Sequence, residues 1–178
     1  AAIVGTSPDN LQGNSQNIRP DDFSAQADAA YLHMRRLLHY PDLNLYRENT
    51  KFSWHHQIAD FWSHTVAIDA TFQRLQTSRS RIDYTTDLNH QIAGAEHYRT
   101  NGSGPFRGSY AQTGEISPFN YYDDNGVISL TLLDYYKTCK DPRILATVKN
   151  LFDSFIVGGI PKDLVNNIPV GGMRWMEK

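Results

Sequence analysis

The fold of this chain is decided by the stretch YYDDNGVISLTLLDYYKTCKDP, which occupies residues 121–142. Two adjacent carboxylates, Asp123-Asp124, stand near its start behind two aromatic residues. The apolar residues that follow recur at helical spacing: Ile128, Leu132, Tyr135 and Tyr136. Their period predicts a helix over about 124–138. Asp141-Pro142 then predicts an N-cap with Pro at the first helical position, so the stretch indicates an antiparallel hairpin of two helices.

Three amphipathic segments precede this hairpin, and one completes it. A helix is predicted from Asp21-Asp22 until Pro41, which stops the apolar run. Two further helices are predicted over about 55–76 and 84–99. The helix behind the Asp141-Pro142 cap carries the clearest apolar stripe of the chain. We expect the side chains of that stripe to be buried: Ile144, Val148, Leu151 and Phe155.

The connections between these helices alternate between short and long. Residues 100–121 are rich in glycine and make a loop of a length that is usually functional or disordered. Alternating connections are expected of a ring of helical hairpins, with tight turns at one end and the site at the other. No segment predicts a strand, so the fold class is all-α. Residues 1–20 are polar and indicate an extended N-terminal arm, and residues 21–178 form one helical-hairpin domain.

Composition and charge narrow the class of partner. The 178 residues suit a single domain with a core of its own. A net charge of −2 with scattered Lys and Arg gives no basic stripe, so no nucleic acid is expected as a partner. No apolar run approaches the roughly 18 residues that span a bilayer, so no membrane span is expected. The ten Tyr and three Trp suit either sugar stacking or packing between helices.

Cys139 is the only cysteine, so neither a disulfide within the chain nor a zinc cluster of cysteines is possible. Two weak signals indicate an extracellular compartment. The sequence opens at Ala1 without an initiator Met, which fits either removal of a signal peptide or a shortened chain. Asn101-Gly102-Ser103 is a glycosylation sequon in a segment that resembles a loop. We therefore predict a secreted or cell-wall protein.

The histidines give no pattern that is typical of a metal site. Three of them, His55, His56 and His64, fall on one predicted helix, and His90 and His97 fall on another. Neither set forms His-Glu-x-x-His, and no acidic residue completes a ligand set at a reliable spacing. We therefore expect no metal and no cofactor.

The acidic pair fits the chemistry of glycoside hydrolysis. That reaction ordinarily needs two carboxyl groups, one as acid and one as nucleophile or base. Side chains at adjacent positions of a helix start project roughly 100° apart, and their tips can lie about 5–6 Å from each other. This separation suits a retaining pair. The helix N-terminus favours ionisation of one Asp, and repulsion between the two raises the pKa of the other.

A simpler interpretation of the pair is helix capping. Asp is a preferred N-cap residue, and Asp in the first turn complements the helix dipole. An Asp-Asp pair before a helix is therefore compatible with a purely structural role. The spacing of the two residues alone does not separate these alternatives.

The wider string resembles the active-site hairpin of glycoside hydrolase family 76. The likeness begins with aromatic residues, the pair Asp123-Asp124 and Asn125-Gly126, and it continues through the apolar positions of the helix to Asp141-Pro142 and Leu145. The sequence GGMRW at 171–175 resembles a later Gly-Gly-apolar-x-Trp segment of the family. Members are endo-α-1,6-mannanases with an (α/α)6 barrel. The likeness covers roughly residues 55–178, and related six-hairpin glycosidases share the Asp-Asp-Asn start.

The resemblance implies a role for each residue of the site. Asp123 would be the nucleophile and Asp124 the acid/base of a retaining mechanism. Tyr121, Tyr122 and Trp175 would line the sugar cleft. The implied substrate is α-1,6-linked mannan or a related polysaccharide or oligosaccharide.

The sequence also departs from the family pattern. Val127-Ile128 stands where two aromatic residues are common, and the chain ends where the family has about half of its barrel to come. We therefore expect a partial barrel with an uncovered apolar face, completed by a partner chain or by a missing C-terminal half. Two alternatives remain open: a non-catalytic carbohydrate-binding or structural helical module with the Asp pair as caps, and a helical interaction domain without a cleft around Tyr121 and Trp175.

Overall fold

The computed structural model describes residues 20–50, 58–100, 108–113, 119–160, 164–165, 168–169 and 175–177. These residues contain five α-helices: α1 (Pro20–Leu38), α2 (Phe61–Thr77), α3 (Tyr84–Ala95), α4 (Tyr122–Cys139) and α5 (Pro142–Ser154). They also contain single 3-10 turns at Glu96–Tyr98 and Ile156–Gly159. The all-α class is confirmed, because the remaining regular structure consists of two-residue strands.

The strands form three antiparallel pairs. They are β1 (His39–Tyr40) with β2 (Leu45–Tyr46), β3 (Asn120–Tyr121) with β6 (Met176–Glu177), and β4 (Leu164–Val165) with β5 (Ile168–Pro169). The sequence analysis predicted no strand. Pairs of this length leave no alternation of polar and apolar residues that a sequence pattern could reveal.

Helix α2 begins later than the sequence pattern predicts. Asp60 is its N-cap and accepts a hydrogen bond from the Ser63 backbone N–H at 2.8 Å. The first residues of the predicted helix, 55–57, lie outside the described residues. The third predicted helix ends at Ala95, where the chain tightens into the 3-10 turn.

Two antiparallel hairpins pack side by side, as predicted. In the first hairpin, the start of α2 meets the end of α3, where the rings of Phe61 and Tyr98 lie 5.3 Å apart. In the second, α4 and α5 are joined by a turn in which Lys140 adopts a left-handed conformation with φ 56°. Asp141 caps α5 as predicted, by accepting a hydrogen bond from the Arg143 backbone N–H at 2.9 Å.

Helices α2 and α4 lie next to each other and run in the same direction. Near their C-terminal ends, the rings of Phe72 and Tyr135 are 6.0 Å apart. At the opposite end, Phe61 stacks on Tyr110, which is hydrogen-bonded to Asn125 in the first turns of α4. The N-termini of both helices therefore point to the same end of the molecule.

The core lies where the two hairpins meet and continues under the α5 stripe. Val148, Leu151 and Phe155 are buried as predicted, and Ile144 is half-buried. Large apolar side chains also remain exposed on the outer faces of α2 and α4, among them Trp62, Val66 and Leu130. None of the helices within the described ranges is long and apolar enough to cross a membrane.

Helix α1 is fastened to the first hairpin by a buried carboxylate. Asp28 accepts hydrogen bonds from Tyr84 Oη at 2.6 Å and from Arg74 Nε at 3.0 Å, and Ser78 Oγ also reaches it. Burial alone would raise the pKa of Asp28, but the hydrogen bonds from Tyr84, Arg74 and Ser78 outweigh it and lower the pKa to about 2. The ionised form of Asp28 therefore stabilises the packing of α1.

We expect Asp28→Asn to destabilise the fold at neutral pH by about 1–2 kcal/mol, because Asn keeps one acceptor but loses the charge. A carboxyl with a lowered pKa stabilises the fold above its ordinary pKa and loses that contribution as the pH falls through its folded value. The stability difference between wild type and variant should therefore shrink between about pH 4 and pH 2. Urea unfolding across this range measures it. Asp134→Asn, which removes an exposed ion pair with Lys137, is the matched control; equal effects of both variants would contradict the prediction.

Candidate functional site

The acidic pair lies in the first turn of α4 and does not act as its cap. The N-cap residue is Tyr121, whose side chain makes no capping hydrogen bond. Asp123 Oδ1 accepts a hydrogen bond from the Asp124 backbone N–H at 3.0 Å. Two parts of the capping interpretation therefore hold, this local bond and the position of both carboxyl groups in the first turn, where they complement the helix dipole.

Asp123 is exposed and lies beside the indole of Trp175. The indole Nε1 donates to Asp123 Oδ2 at 3.3 Å. Strand pairing brings Asp123 and Trp175 together. Tyr121 in β3 faces Met176 in β6, and the Tyr122 N–H donates to the Trp175 carbonyl at 2.9 Å. The Trp175 side chain remains exposed, so its ring offers an apolar face next to a carboxylate.

A row of aromatic rings extends this face. The rings of Tyr121 and Trp175 are 5.3 Å apart, and those of Phe119 and Tyr121 are 6.4 Å apart. Tyr121 is half-buried and Trp175 is exposed. Rings of this kind stack on the C–H face of a sugar while their polar edges stay hydrated.

Asp124 lies in a different environment from Asp123. Its side chain is largely buried, at 8% exposure. Burial, the charge of Asp123 and then the charge of Asp60 raise the pKa of Asp124 to about 6. The pair therefore consists of one exposed and one buried carboxyl group, and the pKa of the buried one is raised to about 6.

Asp60 is the residue of this region that the sequence analysis missed. It stands at the N-cap of α2, at the end of the molecule where α4 also begins. The predicted start of α2 near residue 55 placed Asp60 inside a helix and hid it. One signal in the sequence could have revealed it: an Asp directly before the first apolar residue of a helical pattern is a typical N-cap, and Asp60 directly precedes Phe61.

Asn125 holds the loop segment 108–113 against α4. Its side chain is fully buried; Oδ1 accepts from the Tyr110 N–H at 2.7 Å, and Nδ2 donates to the carbonyls of Tyr110 and Tyr121 at 2.9 and 2.8 Å. The same segment reaches α2, because the Phe61 N–H donates to the Gln112 carbonyl at 2.8 Å. Asn125 thus fixes the backbone that joins the N-termini of α2 and α4.

Tyr122 does not occupy the position expected for a cleft residue. Its ring is buried at 3% exposure and stacks on Phe155, with ring centroids 4.3 Å apart and planes 9° apart. A side chain at Gly159 would collide with the same ring, because a Cβ there would lie 2.5 Å from it. Tyr122 therefore packs α4 against the end of α5 and leaves the half-buried Tyr121 and the exposed Trp175 as the accessible rings near the acidic pair.

Of the three histidines on the second predicted helix, His64 lies within the described residues, and it is a core residue. His64 is fully buried, and its Nε2 lies 2.8 Å from the Gln91 carbonyl oxygen. Burial lowers the pKa of His64 to about 4. Within the ranges that the structure describes, no group of three or more His, Cys, Asp or Glu could hold a metal ion. His55, His56 and the sequon at 101–103 lie outside those ranges.

The site thus combines the exposed carboxyl group of Asp123, the buried carboxyl group of Asp124 with its raised pKa, and the exposed indole of Trp175 at the start of one helix. Comparison with known proteins adds nothing to this set: no family model matches the chain, and no curated protein matches it.

Proposed function

We propose that the chain is a secreted retaining glycoside hydrolase that acts on α-1,6-linked mannan or a related polysaccharide. The observation that carries the proposal is the buried Asp124, whose pKa is raised to about 6, next to the exposed Asp123 and the exposed Trp175. Double displacement starts from one ionised and one protonated carboxyl, and environments that separate the pKa values of two acids set their roles. An apolar ring next to such a pair gives a pyranose its stacking surface.

In this mechanism Asp124 donates its proton to the glycosidic oxygen while a carboxylate oxygen of Asp123 attacks the anomeric carbon. The bond to the leaving sugar breaks, and a glycosyl ester forms on Asp123. Esterification removes the negative charge of Asp123, which lowers the pKa of Asp124 and prepares it to act as a base. Asp124 then takes a proton from a water molecule, whose oxygen displaces Asp123 and restores the pair.

We propose further that the two hairpins are part of an (α/α)6 barrel. The parallel arrangement of α2 and α4, each with its partner helix running back, supports this idea because such a ring repeats that unit. The exposed Trp62, Val66 and Leu130 offer apolar surface against which neighbouring hairpins could pack. Those hairpins would come from a longer chain or from a partner chain.

Release of reducing ends from α-1,6-mannan tests the proposed activity. The expected result is release from this polymer with the anomeric configuration retained in the first product, as followed by NMR. A β-1,4-linked mannan is the matched control for linkage. Binding of α-mannan without release of reducing ends would contradict the proposal and favour the non-catalytic carbohydrate-binding module.

The pH profile should report Asp124. Because the acid must be protonated to act, kcat/KM should fall as the pH rises above about 6. Asp60→Asn removes a charge that raises this pKa, so the falling limb should move to lower pH. Asn remains a good N-cap and should preserve the start of α2.

Asp69→Asn is the control for this prediction, since it removes the same charge from α2 about two and a half turns further along the helix. The limb of this control should coincide with that of the wild type. An unchanged limb in Asp60→Asn would contradict the electrostatic link between Asp60 and Asp124.

A further inference from the structure

A cavity of about 490 Å³ lies between α1, the residues after β2 and the start of α2. Its volume is in the range of pockets that hold small ligands. Polar residues line one part of it, namely Arg47, Glu48, Asp60 and Gln112, and apolar residues such as Leu38 and Ala67 line another. The lining is therefore amphipathic, as the surface of a pyranose is.

Arg47 lines this cavity, and its guanidinium carries a donor without a partner in the described part of the chain. Its Nε is shielded from solvent and has no hydrogen-bond partner among the described residues. The guanidinium carbon lies 5.4 Å from the ring centroid of Tyr40, so the side chain is held over an aromatic face. A buried N–H without an acceptor costs free energy, and a ligand oxygen would relieve that cost.

The charges of the lining restrict the class of ligand. Arg47 contributes one positive charge, and Glu48 and Asp60 contribute two carboxylates. A phosphate or another anion would meet a net negative lining, which disfavours it. A neutral ligand with many hydroxyl groups can both donate to the carboxylates and accept from the guanidinium.

Asp60 connects the cavity to the acidic pair. It lines the cavity, and its charge also acts on Asp124. The segment that carries Gln112 lines the cavity as well and is held against α4 by Asn125. Asp60 and the segment that carries Gln112 therefore border the cavity on one side and the start of α4 on the other.

We infer that the cavity is a sugar subsite for a further saccharide unit of the glycan that is cleaved at the acidic pair. Arg47 Nε donates to an oxygen of that unit, and the Asp60 carboxylate accepts a hydrogen bond from a hydroxyl group. This inference rests on the proposed function and adds a preference for substrates long enough to reach the cavity.

The test is hydrolysis of α-1,6-linked manno-oligosaccharides of increasing length by the full chain. Wild-type kcat/KM should rise about 10- to 100-fold at the substrate length that first fills the cavity. A rise of this size is what one hydrogen bond to a charged group usually contributes. Arg47→Lys keeps the charge but lacks Nε–H, so it should lose this rise and leave the shortest cleaved substrate unaffected. Arg143→Lys, an exposed guanidinium at the start of α5, is the matched control.

Ser63→Leu provides a second variant, because Ser63 is exposed on α2 and lines the cavity, so a larger side chain should fill the space without disturbing the core. It should show the same length-dependent loss. The subsite would be overturned if kcat/KM still rose with substrate length in both variants, or if both variants lost the same factor in kcat/KM at every length. Either result would leave the proposed function intact. Failure of the wild type to cleave any length would instead overturn the proposed function, and the subsite with it.

Discussion

Replacement of Asp124 by Asn is expected to abolish hydrolysis and, at the same time, to stabilise the fold at alkaline pH. Asn cannot supply the proton to the leaving group, so activity should fall by about 10²–10⁴-fold, the usual contribution of a general acid. The gain in stability has a different origin. Burial and the charges of Asp123 and Asp60 oppose ionisation of Asp124, and an amide at this position carries no charge to be opposed.

The sign of the stability change depends on pH. A carboxyl whose pKa is raised on folding stabilises the native state below its ordinary pKa, and that contribution is lost as the pH rises through the folded value of about 6. Asn does not titrate, so the variant should equal the wild type near pH 4 and exceed it near pH 8. The difference at pH 8 should be on the order of 1–3 kcal/mol.

Two measurements on the same sample check this prediction: release of reducing ends, and urea unfolding at pH 4 and pH 8. A variant that is more stable and inactive separates loss of chemistry from loss of fold. Asp123→Asn should also abolish hydrolysis, because it removes the nucleophile. Unchanged release by both variants would end the glycosidase proposal, and loss of activity together with unfolding would contradict the electrostatic account of Asp124.

Local signals in the sequence were enough to predict the second hairpin. The Asp141-Pro142 cap and the stripe through Val148 and Leu151 depend on neighbours along the chain, and the structure confirms both features. The start of α2 was predicted too early, because apolar periodicity marks a helix face but does not locate the first turn. The cap at Asp60 does locate it, through a hydrogen bond to Ser63.

The site was predictable only where it coincides with one continuous segment. The neighbours Asp123 and Asp124 are visible in the sequence, whereas their different burial arises from tertiary packing. Tyr122 shows the same limit: the side chain of Phe155, more than thirty positions away, decides that this ring faces the core. Asp60 approaches the pair because α2 and α4 run in the same direction, and no local pattern reveals that.

Alanine substitutions at two helical glycines are expected to change stability in opposite directions. In α3, a Cβ on Gly94 would lie 2.3 Å from the carbonyl oxygen of Asn44 and 3.2 Å from Leu45 Cδ2. Asn44 belongs to the turn between β1 and β2 and has a positive φ of 56°, and Leu45 is fully buried, so neither side can yield at low cost. In α4, a Cβ on Gly126 would meet no atom within 4 Å.

Gly94→Ala should therefore force the β1–β2 turn away from α3 and destabilise the fold by about 1–3 kcal/mol, as overpacking in a core usually does. Gly126→Ala should stabilise it by about 0.5–1 kcal/mol, because Ala loses less backbone entropy than Gly in a helix. Urea unfolding of the two variants at pH 4, where Asp124 is protonated, compares them without interference from the site. Since helix propensity favours Ala in both cases, a Gly94→Ala variant as stable as Gly126→Ala would show that α3 and the turn at Asn44 do not pack this closely.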